Sequence, residues 1–106
     1  MPLRPSSNIS IDAVRFPYTY YTNQIVKKIS QNWQWSSDFG RLTTIIYFKV
    51  SKTGNVGEVF VKQSSGDSLF DSQAVRAVKL ADPFPPLPFG YEDNELGIYF
   101  EFSFKE

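Results

Sequence analysis

A serine pair beside a lysine is the part of the sequence whose residue types come nearest to a catalytic group. Ser64 and Ser65 follow Lys62 within three residues, and a serine hydroxyl becomes a nucleophile when a neighbouring base accepts its proton. The sequence has no histidine, which removes the usual base. Because serine and glycine favour the turns that end strands, we interpret the stretch SSGD as a turn and predict no catalytic residue.

An acidic loop is the nearest approach to a metal site. Glu92, Asp93 and Glu95 could offer carboxylate oxygens to calcium, but their spacing does not match the regular ligand pattern of a calcium loop. The sequence also has no cysteine, so thiol chemistry, ordinary zinc sites and disulfides are excluded. We therefore expect a solvated loop here, no metal, no cofactor and no enzymatic activity.

The charge balance argues against nucleic acid as a partner. The 106 residues carry 11 basic and 11 acidic side chains, and the net charge is zero, so the basic surface that phosphate binding requires is missing. No export signal and no run of roughly 18 apolar residues occurs. The segment is expected neither to cross a membrane nor to direct its own export, and it could be a fragment.

The positions of polar and apolar residues predict a tail followed by one domain. Residues 1–15 are polar, with only a faint alternation at Ile9 and Ile11, which favours a tail or linker with at most a short extended piece. The domain is predicted to span residues 16–106. It begins with an amphipathic helix with Pro17 in its first turn. Its apolar positions recur at spacings of three and four: Tyr18, Tyr21, Thr22, Ile25, Ile29 and Trp33.

A second helix is predicted to follow the SSGD turn. Asp71 can cap it, with Phe70 and Val75 as the hydrophobic pair that flanks the cap. The helix ends before Pro83, since the residue ahead of a proline disfavours helical geometry. Its buried stripe consists of small residues: Ala74, Ala77, Val78 and Ala81.

Three strands complete the predicted domain. Residues 41–50 are nearly continuous in β-branched and aromatic types, which suits a central strand, and the turn SKTGN joins them to residues 56–63 in a hairpin. The last strand alternates between two faces. Leu96, Ile98, Phe100, Phe102 and Phe104 form the apolar face, and Tyr99, Glu101, Ser103 and Lys105 form the polar one.

This element order predicts an α+β fold with two layers. A three-stranded antiparallel sheet, in spatial order 2-1-3, carries both helices on its apolar face. The helical crossover would return the third strand parallel to the second, so the third strand must lie against the first. The last strand is therefore predicted at an edge of the sheet.

An open edge at the last strand predicts a partner-binding site. Residues 97–104 contain neither a proline nor an inward-facing charge that would prevent pairing at the edge. An incoming strand could therefore pair with their free backbone groups. The predicted partner-binding residues are Gly97, Ile98, Tyr99, Phe100, Glu101, Phe102 and Ser103. At about 1 kcal/mol net per backbone hydrogen bond, addition of five or six residues predicts roughly micromolar, reversible binding.

Several aromatic residues allow two interpretations. Trp33, Trp35 and Phe39 either form an exposed platform for a partner or a sugar, or close the core where the first helix meets the sheet. Tyr99 either anchors the side chains of an added strand or shelters the open face of the sheet.

The proline-rich connector DPFPPLPFG, Asp82 to Gly90, is predicted to deliver the last strand to the sheet in a fixed register. Its prolines lower the conformational entropy of the connector, and Phe84 and Leu87 can plug the open end of the sheet. Alternatively, the segment PFPPLP is itself a polyproline ligand for an aromatic groove.

In the order of these motifs the sequence resembles the C-terminal domains of TonB and the related TolA, over residues 20–104. The resemblance rests on YYTNQIVKKISQNW as the leading helix, Gly54 and Val56 in the hairpin, VKQSSG, and PFPPLP before the last strand. Asp71 with Ala74, Ala77 and Val78 complete the pattern. Gln73 stands where the family often has an alanine, and Phe16-Pro17-Tyr18 stands where well-known TonB proteins have tyrosine-proline.

The resemblance implies a periplasmic binding domain of an energy transducer anchored in the inner membrane. The implied partners are an outer-membrane receptor or a periplasmic Tol-type protein, with inner-membrane motor proteins acting through an anchor that this segment lacks. Weak self-pairing through the same edge is a further expectation. The alternative function is an adaptor of the same fold in envelope assembly or secretion, which needs no force.

Overall fold

The structure is a computed structural model that describes residues 16–33 and 41–104, together with the backbone of residues 6–11. Within these ranges the chain forms four strands and two helices. In chain order they are β1 (Ser6–Ile11), α1 (Thr19–Gln31), β2 (Leu42–Ser51), β3 (Val56–Gln63), α2 (Ser68–Leu80) and β4 (Glu95–Phe104). Neither helix is long and apolar enough to cross a membrane within the ranges described.

The predicted arrangement of three strands and two helices is confirmed. β2 pairs antiparallel with β3 on one side and with β4 on the other, which is the predicted order 2-1-3. The β2–β4 ladder runs without a register shift from Leu42↔Phe104 to Ser51↔Glu95. β2 thus lies between its two predicted partners.

The prediction that β4 lies at an open edge is wrong, because a fourth strand covers it. β1 pairs antiparallel with β4, and the order of the whole sheet is β1-β4-β2-β3. A border strand is held by backbone hydrogen bonds along one side only, so it can form without the strong apolar pattern of a central strand. The faint alternation at Ile9 and Ile11 was therefore a weak signal for this strand.

The hydrophobic core lies between the helices and one face of the sheet, as predicted. From α1, Tyr21, Ile25 and Ile29 are buried, and the small residues Ala74, Ala77, Val78 and Ala81 are buried in and just after α2. The sheet contributes Ile46, Phe48, Val50, Leu96, Ile98, Phe100, Phe102 and Phe104 to the same cluster. Each large side chain buried in this way stabilises the fold by about 1.5–3 kcal/mol.

The start of α2 differs from the prediction. Asp67 rather than Asp71 is the N-cap, and its carboxylate accepts a hydrogen bond from the Phe70 N–H at 3.0 Å. The helix therefore begins four residues earlier than an Asp71 cap would place it, and Phe70 and Val75 do not flank the cap. Both aspartates are acceptable cap residues, and the tertiary contacts of Asp71 described below decide between them.

The proline-rich connector closes one end of the sheet. Phe84 and Leu87 are buried, as the sequence predicted, and the Phe84 ring stacks on Phe48 at a centroid distance of 5.9 Å. The Phe84 N–H donates to the Gly54 carbonyl at 2.9 Å, and the Leu87 N–H donates to the Lys52 carbonyl at 3.0 Å. The connector is thereby attached to the β2–β3 turn.

Helix α1 holds the other side of the connector. The Tyr21 hydroxyl donates to the Pro85 carbonyl at 2.7 Å, and the Lys28 ammonium donates to the carbonyls of Ala81 and Pro83. Burial, with a smaller contribution from Tyr20, raises the pKa of Tyr21 to about 12. The hydroxyl therefore keeps its proton, and with it this hydrogen bond, well into alkaline solution.

We predict that Gly54→Ala destabilises the domain by at least about 2 kcal/mol. Gly54 has a φ of 98°, and an added Cβ would lie 2.0 Å from the Phe84 carbonyl oxygen. The matched control is Gly57→Ala three residues away, where an added Cβ meets nothing within 4 Å. Urea unfolding of both variants checks the prediction, and equal losses of stability in the two would contradict it.

Candidate functional site

The two borders of the sheet differ in regularity. β3 forms one border, and its pairing with β2 shifts register twice, between Ile45 and Ile46 and between Tyr47 and Lys49. Glu58 within β3 has a positive φ of 55°. Bulges and charged side chains are the usual means by which proteins prevent pairing at an exposed strand. The β3 border is therefore a poor template for an incoming strand.

The border at β4 is regular. Its ladder with β1 runs without a register shift from Ser6↔Ser103 to Ile11↔Ile98. Six of the seven predicted partner-binding residues lie in this ladder: Ile98, Tyr99, Phe100, Glu101, Phe102 and Ser103. Gly97 lies just beyond it and pairs with Lys49 of β2. The backbone of β4 can thus accept an extended strand on the side away from β2.

The helix-facing side chains of β4 hold this backbone rigidly. Ile98, Phe100 and Phe102 are fully buried. Trp33 packs on Phe102 at 4.6 Å and on Phe70 at 5.2 Å between ring centroids, so the core interpretation of Trp33 is confirmed. Trp35 and Phe39, the other members of the proposed aromatic platform, lie outside the described residues.

The opposite face of the sheet carries a row of aromatic rings. The Tyr47 ring lies 4.8 Å from Tyr99 of β4 and 5.1 Å from Phe60 of β3, measured between centroids. Tyr99 is half-buried and Phe60 is 48% exposed. Tyr99 therefore shelters part of this face and also stands beside the position of the β1 ladder. Both interpretations of Tyr99 remain compatible with its place.

Polar side chains extend the same face toward the end of β4. Ser103 is buried; its hydroxyl donates to a Glu101 carboxylate oxygen at 3.0 Å and lies 3.3 Å from the Thr43 hydroxyl. These contacts hold the side chains next to the border in place. A strand added at β4 would meet a preformed surface here.

The serine pair belongs to a hydrogen-bond network around the Asp71 carboxylate. The Ser64 hydroxyl donates to the Asp71 carboxylate, and the Ser65 N–H and hydroxyl donate to its other oxygen at 3.0 and 2.8 Å. Burial by itself raises the pKa of the Asp71 carboxyl, but the hydrogen bonds from Ser64, Ser65 and Thr44 outweigh it and hold the pKa below its usual value. This hydrogen-bond network connects the end of β3 to the first turn of α2.

Glu95, one of the three acidic residues considered for calcium, lies at the start of β4 and forms an ion pair with Lys49 of β2. Glu95 and Glu58 each lie 3.3 Å from the Lys49 ammonium. Within the ranges described, acidic side chains do not come together in a group of three that could hold a metal ion.

Comparison with known families identifies the domain. The family model for the TonB C-terminal domain matches residues 18–104. The chain belongs to the TonB C-terminal family. Domains of this family are periplasmic protein-interaction domains without catalytic activity of their own. A comparison with curated proteins finds no match.

A solved structure is similar in fold and in sequence. It is the solution NMR structure of TolAIII bound to a peptide derived from the N-terminus of TolB, with 31% identity and a TM-score of 0.56. The match covers 70% of this chain and 61% of the TolAIII chain. The present chain therefore corresponds to less than two thirds of that structure.

The residues that sequence reasoning missed at this site are those of β1. The signal that could have found them is the polar–apolar alternation of Asn8 to Ile11, which is short and has no strong turn signal after it. The prediction that the site residues bind a partner stays a prediction.

We predict that Asp71→Asn costs about 1–3 kcal/mol of stability at neutral pH, because it removes the charge that accepts the hydrogen bonds from Ser64 and Ser65. The lowered pKa in the folded state means that the carboxylate stabilises the fold above its unfolded pKa and loses this effect as the pH falls through its folded pKa. The stability gap between wild type and variant should therefore shrink below roughly pH 4.

Denaturant unfolding at several pH values measures that gap. Asp67→Asn serves as the control, since asparagine caps a helix about as well as aspartate and the expected change is only a few tenths of a kcal/mol, roughly. A gap for Asp71→Asn that stays constant between pH 7 and pH 3 would show that the charge is not the source of the stabilisation.

Proposed function

We propose that this chain is the partner-binding domain of a TonB/TolA-like energy transducer anchored in the inner membrane. It captures an extended segment of an outer-membrane receptor or of a periplasmic Tol-type protein by strand addition. The site is the border of β4, from Gly97 to Ser103. The observation that carries the proposal is the unshifted antiparallel ladder along Ile98 to Ser103, on the side of β4 away from β2.

Family membership and the TolAIII structure support the class of partner. That structure contains a peptide derived from the N-terminus of TolB, so a domain with the same fold accepts a short peptide from another protein. A peptide of this kind can gain most of its affinity from main-chain hydrogen bonds, with side-chain contacts adding selectivity. The unshifted register along β4 suits those hydrogen bonds, whereas the register shifts of β3 disfavour them.

The energetics of strand addition suit a transducer that must grip and release. Each backbone hydrogen bond contributes about 1 kcal/mol net, and ordering the guest offsets much of the gain, so roughly micromolar affinity is expected. Force applied along the axis of an added strand is shared by all of its hydrogen bonds at once. Even a weak complex therefore resists pulling in that direction. Ile98, Phe100 and Phe102 are fully buried and anchor the receiving strand in the core.

Force transmission distinguishes this function from that of an envelope adaptor. A transducer requires a membrane anchor and a motor that pulls the domain, whereas an adaptor needs only the strand-binding border. An apolar anchor helix followed by a long proline-rich stretch upstream in the parent gene would favour the transducer. The binding chemistry at β4 is the same in both functions.

We predict that a synthetic peptide from the N-terminus of TolB, titrated into ¹⁵N-labelled protein, shifts the amide resonances of Ile98 to Ser103. Peptides from candidate outer-membrane receptors are tested in parallel. The expected dissociation constant is roughly micromolar. Shifts confined to α1, with Ile98 to Ser103 unmoved, would count against the site.

A pair of matched variants sharpens the titration. Tyr99→Ala and Phe60→Ala each remove one ring that packs on Tyr47, at centroid distances of 4.8 and 5.1 Å. Tyr99 borders the proposed site and Phe60 lies on β3, so Tyr99→Ala should weaken peptide binding by up to about fivefold, from the loss of one cross-strand pair. Phe60→Ala should leave the affinity unchanged, and a larger loss in Phe60→Ala would move the site to the β3 border.

A further inference from the structure

The proposed site is occupied by the chain's own β1. The β1–β4 ladder covers Ile98 to Ser103, the same stretch of backbone that a partner strand would need. A β-strand has one set of free backbone groups on each side, and the other side of β4 is paired with β2 along its whole length. A partner strand therefore cannot add to β4 while β1 is in place.

We propose that Ser6–Ile11 is an intrachain guest strand that competes with the partner for the β4 border. This inference rests on the proposed function and adds its regulation. In the closed form β1 fills the border and protects it from unwanted pairing. In the open form β1 has left, and the partner's strand takes its place.

β1 is attached to the rest of the described fold mainly through β4. β1 pairs with β4 on one side only, at the border of the sheet. Among the residues whose side chains are described, the buried cluster runs from Tyr21 to Phe104 and joins α1, α2, β2 and β4 directly to one another. β1 approaches α1 as well as β4. The gain from six residues of backbone pairing is also nearly offset by the entropy lost on ordering them. Closed and open forms are therefore close enough in free energy for exchange.

The register of β1 defines the kind of segment that can replace it. Ile9 and Ile11 pair with Phe100 and Ile98, and Ser10 pairs with Tyr99. Ile98 and Phe100 of β4 face the apolar core, and Tyr99 between them lies on the outer face of the sheet. The fitting partner segment is an extended peptide, antiparallel to β4, with β-branched apolar residues at alternate positions and small polar residues between them.

Competition has a measurable consequence for affinity. When only a fraction of molecules has an open border, the apparent dissociation constant rises by the inverse of that fraction. Weakening β1 should therefore tighten partner binding, by roughly tenfold if one molecule in ten is open in the wild type. Locking β1 in place should abolish binding.

Two adjacent proline variants provide a matched test. Successive N–H groups of a strand point to opposite sides, and proline has no N–H. One of the two variants Asn8→Pro and Ile9→Pro therefore removes a hydrogen bond to β4. The other removes an N–H that points away from β4. We expect one variant of the pair to bind the TolB N-terminal peptide roughly tenfold more tightly than wild type, and the other to bind like wild type. Equal affinities in wild type and both variants would overturn the proposal.

A reversible cross-link provides the opposite test. The chain has no cysteine, and Asn8 and Glu101 are direct partners in the ladder, so Asn8→Cys with Glu101→Cys creates a single disulfide within the Cα range that such bonds accept. The oxidised protein should lose at least about tenfold in affinity for the peptide, and reduction should restore it. An oxidised form that binds as tightly as the reduced form would overturn the proposal.

The outcomes separate the competition from the proposed function. Absence of peptide binding in every form, including the ladder-breaking proline variant, overturns strand addition at β4 and the competition with it. Binding of equal strength in every form, with shifts at Ile98 to Ser103, overturns the competition alone. Sedimentation of the free protein measures its oligomeric state. If the wild type is a dimer and the ladder-breaking variant a monomer, then β1 pairs with β4 of a second copy. That result would overturn the intrachain form of the proposal.

Discussion

The antiparallel ladder between β2 and β4 is the interaction on which the rest of the structure depends. It runs unshifted over ten residue pairs, from Leu42↔Phe104 to Ser51↔Glu95. An unshifted register sends alternate residues of both strands to the same face, so Ile98, Phe100 and Phe102 lie under the helices and Tyr99 lies on the other face. The same ladder uses one side of β4 completely, which leaves its other side as the place where a further strand can pair.

The loops at the ends of the sheet protect that arrangement. At one end the connector is attached to the β2–β3 turn by backbone hydrogen bonds to Gly54 and Lys52, and Phe84 and Leu87 fill the space beneath it. At the start of α2, the Asp71 carboxylate accepts hydrogen bonds from the hydroxyls of Ser64 and Ser65. In both places backbone and polar groups are paired within the domain, which stabilises the fold.

The two borders of the sheet consequently differ in regularity. β3 is shifted twice in register and has a residue with positive φ, features that discourage edge-to-edge pairing. β4 is regular, and its border is covered by β1. A binding domain needs a border that can accept a strand, and such a border is an aggregation hazard when it is free. The proposed displacement of β1 by a partner strand would meet both requirements.

The sequence by itself was enough for the two helices, for β2, β3 and β4, and for most of the core, because these follow from local periodicity. The spacing of Tyr21, Ile25 and Ile29 predicted one helix, and the alternation of the last strand predicted which of its residues are buried. The order of the three strands followed from the helical crossover. The plugging of the sheet by Phe84 and Leu87 was also predictable, since large apolar residues in a rigid connector have few other places to go.

Only the tertiary structure decided which aspartate caps α2 and what lies along β4. Asp67 and Asp71 are equivalent as local signals; Asp71 is unavailable as a cap because it accepts hydrogen bonds from residues at the end of β3. The six residues of β1 have little apolar patterning, since a border strand is held by backbone hydrogen bonds that every residue except proline can donate. The faint alternation of Asn8 to Ile11 is compatible with a strand, but it does not say which distant segment that strand pairs with. The sequence therefore predicted the β4 border, and only the tertiary structure decided that β1 pairs with it.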